Sequence, residues 1–155
     1  MKSLYESITN ILTNDSDLKA MANYTETSKT IRRAYTPKGK WDSLVIFYFQ
    51  PETVMTDFTP MIRTVPLIIR VYDRESDIAC MDMSERTILL LDGADLSISG
   101  KVHCYDCSYA GELSEASYVK ELSSYEKILR FEVVVRQIAI AGKSGYPTRK
   151  RMREW

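Results

Sequence analysis

The chain has 155 residues, 45% of them hydrophobic and 27% charged, with Lys plus Arg and Asp plus Glu balanced at 21 each. That length and mixture suit one folded domain with its own core and argue against a disordered or membrane-spanning polypeptide. The charge balance leaves no overall field to draw the molecule to nucleic acid or anionic lipid, so any basic function must be local.

The opening residues carry no apolar stretch of signal-peptide length, and no later apolar run approaches the ~20 residues that cross a bilayer. The expected location is therefore intracellular. There the three cysteines, Cys80, Cys104 and Cys107, should stay reduced.

Ser3 and Glu6 have capping-box spacing, and Leu4, Ile8, Ile11 and Leu12 recur at helical intervals, which predicts an amphipathic helix over 4–13. Asn14-Asp15-Ser16-Asp17 interrupts it and supplies an N-cap for a short helical turn from Leu18 to Met21. Residues 23–29 are polar and unpatterned, and read as a loop. Ile31 to Tyr35 and Leu44 to Phe49 are strand-like and flank the turn residues Pro37-Lys38-Gly39-Lys40, so a hairpin is the natural inference. Residues 51–60, between two prolines, lack periodicity.

Ile62 to Tyr72 predicts a long strand with Val65, Leu67, Ile69 and Val71 on one face, and Arg70 and Tyr72 turned away from the core. Pro66 cannot donate to a ladder, so the strand lies at an edge there or bends. Ser76-Asp77 caps a predicted helix whose face is formed by Ile78, Met81, Ile88, Leu89 and Leu91, with Gly93 as its stop. Two more strands follow, Ile98 to Tyr105 and Ile128 to Ile140. The second alternates Leu129, Phe131, Val133 and Val135 with Arg130, Glu132 and Arg136. Between them, 108–126 reads as either a short helix or a long excursion from the sheet.

The order of elements predicts an α+β fold: a mainly antiparallel sheet of four to five strands with two main helices packed on one face. Residues 1–141 should form this single domain. Residues 142–155, with Lys143, Arg149, Lys150, Arg151 and Arg153, read as a flexible basic tail able to meet a phosphate backbone or an acidic protein surface.

Catalytic chemistry is sparse. His103-Cys104-Tyr105-Asp106-Cys107 has the composition of half a zinc site, but no second histidine exists in the chain, and in a regular strand positions 104 and 107 point to opposite faces. The reading favours ordinary strand residues. His103 is the only histidine base available to a Ser or Cys nucleophile. Asp73, Glu75 and Asp77, and Asp92 with Asp95, flank helix ends, where capping accounts for them. The stretch 141–145 lacks the first glycine and the following helix of a phosphate loop. No enzyme, cofactor or metal is expected. Tyrosine is abundant instead: Tyr48, Tyr72, Tyr105, Tyr109, Tyr118 and Tyr125 offer amphipathic surface of the kind enriched at subunit contacts.

The helix Leu4 to Leu12, the segment Ile31-Arg32-Arg33-Ala34-Tyr35, the run 44–51, the strand 66–73 leading into the helix that ends at Asp92, and the closing strand 130–135 together resemble the tail terminator (tail completion) proteins of long-tailed bacteriophages. The likeness spans residues 4–137 and lies in pattern, not in a catalytic motif. It implies a virion protein at the tail–neck junction, assembled in the host cytoplasm. Such a protein forms a homohexameric ring that caps the tail tube and joins the head. Its implied partners are other copies of itself, the tail tube protein, the head–tail connector and DNA in the channel, with no membrane. Contacts would fall on Arg70, Tyr72, Arg130 and Arg136, on the loop 51–60, on Tyr109 and Tyr118, and on Arg149 and Arg151 of the tail. The 108–126 segment and the tail depart from shorter members of that family. Two other readings stand beside it: a different neck or minor tail component, and a small ligand-binding domain or enzyme.

Overall fold

The computed structural model describes residues 2–50 and 62–137, and within them the order is helix, helix, strand, strand, strand, helix, strand, strand. Helix α1 runs Lys2–Thr13 and buries Leu4, Tyr5, Ile8 and Leu12, the face that its periodicity predicts. Helix α2, Ser16–Met21, starts where the Asp15 carboxylate accepts a hydrogen bond from the Leu18 amide. The third helix, α3, spans Asp77–Leu91, capped by Ser76, whose hydroxyl accepts from the Ala79 amide. It stops at Gly93, whose φ of +78° a side chain would resist.

The strands are β1 (Ile31–Arg33), β2 (Ser43–Phe49), β3 (Arg63–Asp73), β4 (Val102–Val119) and β5 (Ser124–Gln137), in the sheet order β1-β2-β3-β5-β4. All neighbours are antiparallel except β1 and β2. Both long helices pack on one face, where Leu4, Ile8, Cys80 and Met83 join Phe47, Leu67, Ile69, Leu129 and Phe131 in the main core. This is a two-layer α+β domain of the expected class. The opposite sheet face carries no helix among the described residues; a smaller cluster of Trp41, Leu44, Ile46 and Tyr72 is buried there.

Three local expectations need correction, and a fourth is met in a particular way. First, β1 and β2 do not form a hairpin: they pair in parallel, Ile31 opposite Val45. The turn at 37–40 belongs to a crossover that brings the Trp41 ring onto Tyr72, at 5.4 Å between centroids. A tight hairpin would leave that indole in water. Arg32 ties the crossover down by donating to the carbonyls of Lys29 and Lys38.

Second, α3 is rotated from its expected face. Cys80, Met83, Ser84, Thr87 and Leu91 point inward, while Ile78, Met81 and Leu89 are 66%, 40% and 68% exposed. The inward hydroxyls are satisfied within the helix, Ser84 donating to the Cys80 carbonyl and Thr87 to that of Met83. Burial therefore carries no orphaned donor.

Third, 108–126 is neither helix nor excursion. Strands β4 and β5 continue through it as one long antiparallel pair, closed by a 3-10 turn at Lys120–Leu122. Strand β4 also starts later than expected, at Val102, because Ile98 bridges back to Val102 across a tight turn.

Fourth, Pro66 sits in a central strand yet obeys the edge rule locally. Strand β2 ends at Phe49, and Gln50 donates its amide to the Pro66 carbonyl. In an antiparallel ladder the donorless nitrogen of Pro66 faces that same side. No ladder bond within β2 is lost.

Candidate interaction surface

The helix-free face of the sheet presents Arg70 of β3, opposite Ile128, beside the charged residues of β5. Tyr72 lies opposite Glu126, Ile68 opposite Arg130 and Pro66 opposite Glu132. Arg136 follows further along β5, opposite His103 of β4. Alternation puts Leu129, Phe131, Val133 and Val135 in the core, so Arg130, Glu132 and Arg136 must project the other way. Arg70 reaches Glu126 at 3.6 Å and lies 5.9 Å from the Tyr48 ring centroid; Arg130 reaches Glu132 at 3.9 Å. These are loose, partly exposed pairs, of the kind that contribute little to stability and can exchange partners.

Tyr72 does turn away from the main core, as its register predicts, but it is not on the surface. It is fully buried in the second cluster beneath Trp41, which Arg74 covers at 4.3 Å. It is thus unavailable for a direct contact in this state. Burial first, and then Glu126, push its phenol above the ordinary range. Its hydroxyl makes no hydrogen bond despite these charged neighbours, and neither Arg70 Nε nor Trp41 Nε1 has a partner.

The candidate tyrosines of β4 lie on the helix side instead. Tyr109 packs on Phe131 at 5.5 Å, and Tyr118, 55% exposed, meets Tyr125 edge-on at 5.2 Å. The structure therefore groups Arg70, Arg130 and Arg136 on one face and separates them from Tyr109 and Tyr118. Arg149 and Arg151, with the rest of the tail and the loop 51–60, lie outside the described residues.

Asp73, Asp92, Asp95 and the three cysteines are absorbed into the fold. Asp73 accepts from the Ser43 hydroxyl at 2.7 Å and from the amides of Glu75 and Ser76 at 2.9 Å. Asp92 and Asp95 accept from the amides of Tyr109 and Ser97. Cys104 and Cys107 do not point to opposite faces: a register shift between Cys104 and Asp106 adds a residue, so both thiols face the core. Burial pushes the Cys80 and Cys107 thiols up to about 12 and raises Cys104 as well, which disfavours the thiolate that metal binding or nucleophilic attack requires. His103 is exposed on the other face, edge-on to Tyr105. Among the described residues no three His, Cys, Asp or Glu side chains converge on a point.

Sequence reading missed two contributors to this surface. Trp41 gave no periodic signal, although an isolated tryptophan beside a Gly-containing turn is a large apolar area that must find cover. Glu126 lay inside the segment that showed no strand pattern.

No family model matches the chain, and no curated protein matches it. Among solved structures it is similar to a chain in the virion of a native gene transfer agent particle, with a TM-score of 0.63 and 19% identity, over 83% of this chain and 91% of that one. At that identity the likeness concerns the fold.

Proposed function

We propose that this chain is a structural virion protein which assembles as a ring, caps the tail tube of a phage-like particle and offers the surface on which head and tail join. The observation that carries the reading is the fold it shares, over most of both chains, with a component of a gene transfer agent virion. The tail terminator form is supported by the pattern of elements over 4–137.

The interface would use the helix-free face, through Arg70, Arg130 and Arg136, and the β4 margin, through Tyr109 and Tyr118. The partners would be neighbouring copies, the tail tube and the head–tail connector, with DNA in the channel. Loose ion pairs such as Arg130 with Glu132 suit this role, since a neighbour's carboxylate can replace the internal one at little cost.

Native mass spectrometry of the full chain over a range of concentrations tests the ring directly. A closed six-subunit species is the expected result, and a monomer at every concentration counts against an autonomous ring. Gold labelling in assembled particles tests the location. Label at the tail–neck junction agrees with capping, whereas label along the tail or at its far end overturns capping in favour of another minor tail role.

A further inference from the structure

On the helix-free face, two buried donors of one small cluster have no hydrogen-bond partner among the described residues: Arg70 Nε and the Tyr72 hydroxyl. They stand two residues apart on the same side of β3, and Glu126 of β5 lies directly opposite Tyr72. Arg70 brings its Nη1 to 3.6 Å from the Glu126 carboxylate, too far for a hydrogen bond. The Arg70 side chain is 32% exposed, so its guanidinium reaches the surface, whereas Tyr72 is closed over by Trp41. Buried donors without acceptors are costly and few in native interiors. Here two occur side by side, next to an acceptor that hydrogen-bonds to neither.

We infer that Arg70 is the receptor for a carboxylate presented by a neighbouring copy of the chain, and that Tyr72 and Glu126 release it. As the guanidinium turns to the incoming carboxylate, the Tyr72 hydroxyl donates to Glu126. The inference rests on the ring reading and names a contact at its interface. The exchange gives up one loose pair and makes two hydrogen-bonded ones. Arginine meets a carboxylate through two parallel N–H bonds, which Glu126, placed opposite Tyr72 and not opposite Arg70, does not supply.

The surroundings favour a single carboxylate over a nucleic-acid backbone. Glu126 and, further along β5, Glu132 share this face with Arg70 and Arg130. A chain of phosphates laid across it would meet both acids, whereas one carboxylate need reach only Arg70. A second copy is a fitting donor. Rings close where two unlike surfaces of one chain meet, and carboxylates exposed away from this face, Glu6 and Glu75 among them, form no ion pair among the described residues.

The site is tested first in the dilute single subunit, with acetate as the probe and chloride at equal ionic strength as the control. In a proton–nitrogen spectrum the Arg70 Nε–H signal is identified by its loss in Arg70→Lys. Acetate should shift it saturably, and chloride should not. Tyr72→Phe removes only a hydroxyl without a partner, so the denaturant midpoint should hold or rise. It should nevertheless raise the acetate needed about tenfold, because Glu126 then has no hydroxyl to accept from. An Arg70 signal that ignores acetate overturns the inference, as does an equal response in Tyr72→Phe. Inorganic phosphate binding about tenfold more tightly than acetate also overturns it, and assigns Arg70 to a nucleic-acid backbone. Native mass spectrometry then tests the donor. Arg70→Lys keeps the charge and loses the fork, so its ring should need about tenfold more protein; an unchanged ring overturns delivery by a neighbouring copy. The two readings fail separately: an unaltered chain that never assembles fails the ring and the donor copy, whereas a ring without an acetate response fails the site alone.

Discussion

Asp15 does two things with one carboxylate: it accepts the Leu18 amide that opens α2, and it holds Arg86 of α3 through bonds of 2.9 and 2.6 Å. Hydrogen bonding by Arg86 is the chief reason its pKa lies below the usual carboxylate value. A carboxylate lowered in the native state stabilises the fold fully above its unfolded pKa, about 4, and that contribution is lost as pH falls through the lower native value. Asp15→Asn keeps the capping oxygen and removes the charge. It should lower stability at neutral pH and flatten the loss of stability below about pH 4. Asp15→Ala should cost about 1 kcal/mol more through the missing cap. Urea titrations of the three proteins at a series of pH values read both effects, and an Asn variant with the unaltered acid slope would refute the assignment. The cap was legible in the sequence, because Asn14-Asp15-Ser16-Asp17 precedes Leu18 directly. The ion pair was not, since nothing local relates Asp15 to a guanidinium on another helix. Tyr72 and Cys107 teach the same limit. Alternation correctly pointed Tyr72 away from the main core but could not show that Trp41 would cover it, and a bulge changed the parity between Cys104 and Cys107.

At the level of elements, α3 shows how a periodicity count can find a helix and misplace its face. Its limits were marked by Ser76 and Gly93, but its apolar residues are spread round the axis, and the inward stripe mixes Met83 and Leu91 with the small or hydroxylated Cys80, Ser84 and Thr87. Ser84 and Thr87 count as polar in any pattern, yet their hydroxyls bond to carbonyls one turn back and so enter the core without an open donor. Met83→Ala should therefore cost about 2–4 kcal/mol, as for a fully buried side chain. Leu89→Gln should stay within about 0.5 kcal/mol of the unaltered chain, as for an exposed one. Denaturant midpoints at constant m-value make the comparison, and a Leu89→Gln loss equal to that of Met83→Ala would restore the face predicted from the sequence. Strand β4 was hidden for a related reason. Its register shifts at Cys104, Tyr109, Glu112 and Ser114 break the two-residue alternation that marks a strand. At Gly111, next to one shift, φ is +117°, a conformation that a side chain would strain. The parallel pairing of β1 with β2 needed Trp41 as a long-range instruction, which no short turn motif contains.

For the whole molecule, the class of fold was legible because strands outnumber helices and mostly follow one another directly, while the order β1-β2-β3-β5-β4 required tertiary pairing. That order leaves two margins, the outer sides of β1 and β4. Strand β3 is bonded on both sides, and its amides should exchange slowest with solvent; on the outer side of β4 the amides of Val102, Cys104 and Tyr109 are taken up by Ile98, Ser97 and Asp92, whereas the outward amides beyond Tyr109 have no strand partner among the described residues and should exchange fast. The four register shifts also blunt β4 against indiscriminate strand addition. These facts separate two ways of building the proposed ring. If subunits join by extending their sheets, raising the concentration until mass spectrometry shows the ring must slow exchange at the outward amides of β1 and β4 together, because each margin then meets the other in the next copy. If they join through side chains of the helix-free face, those amides stay fast, and charge reversal at Arg130 and Arg136 weakens the ring instead. The irregular β4 margin and the three-residue length of β1 favour the second arrangement, since neither supplies a straight ladder of useful length. The expected result is therefore a ring whose outer β4 amides exchange as fast as in the single subunit, and their protection on assembly would transfer the interface from the arginine face to the sheet margins.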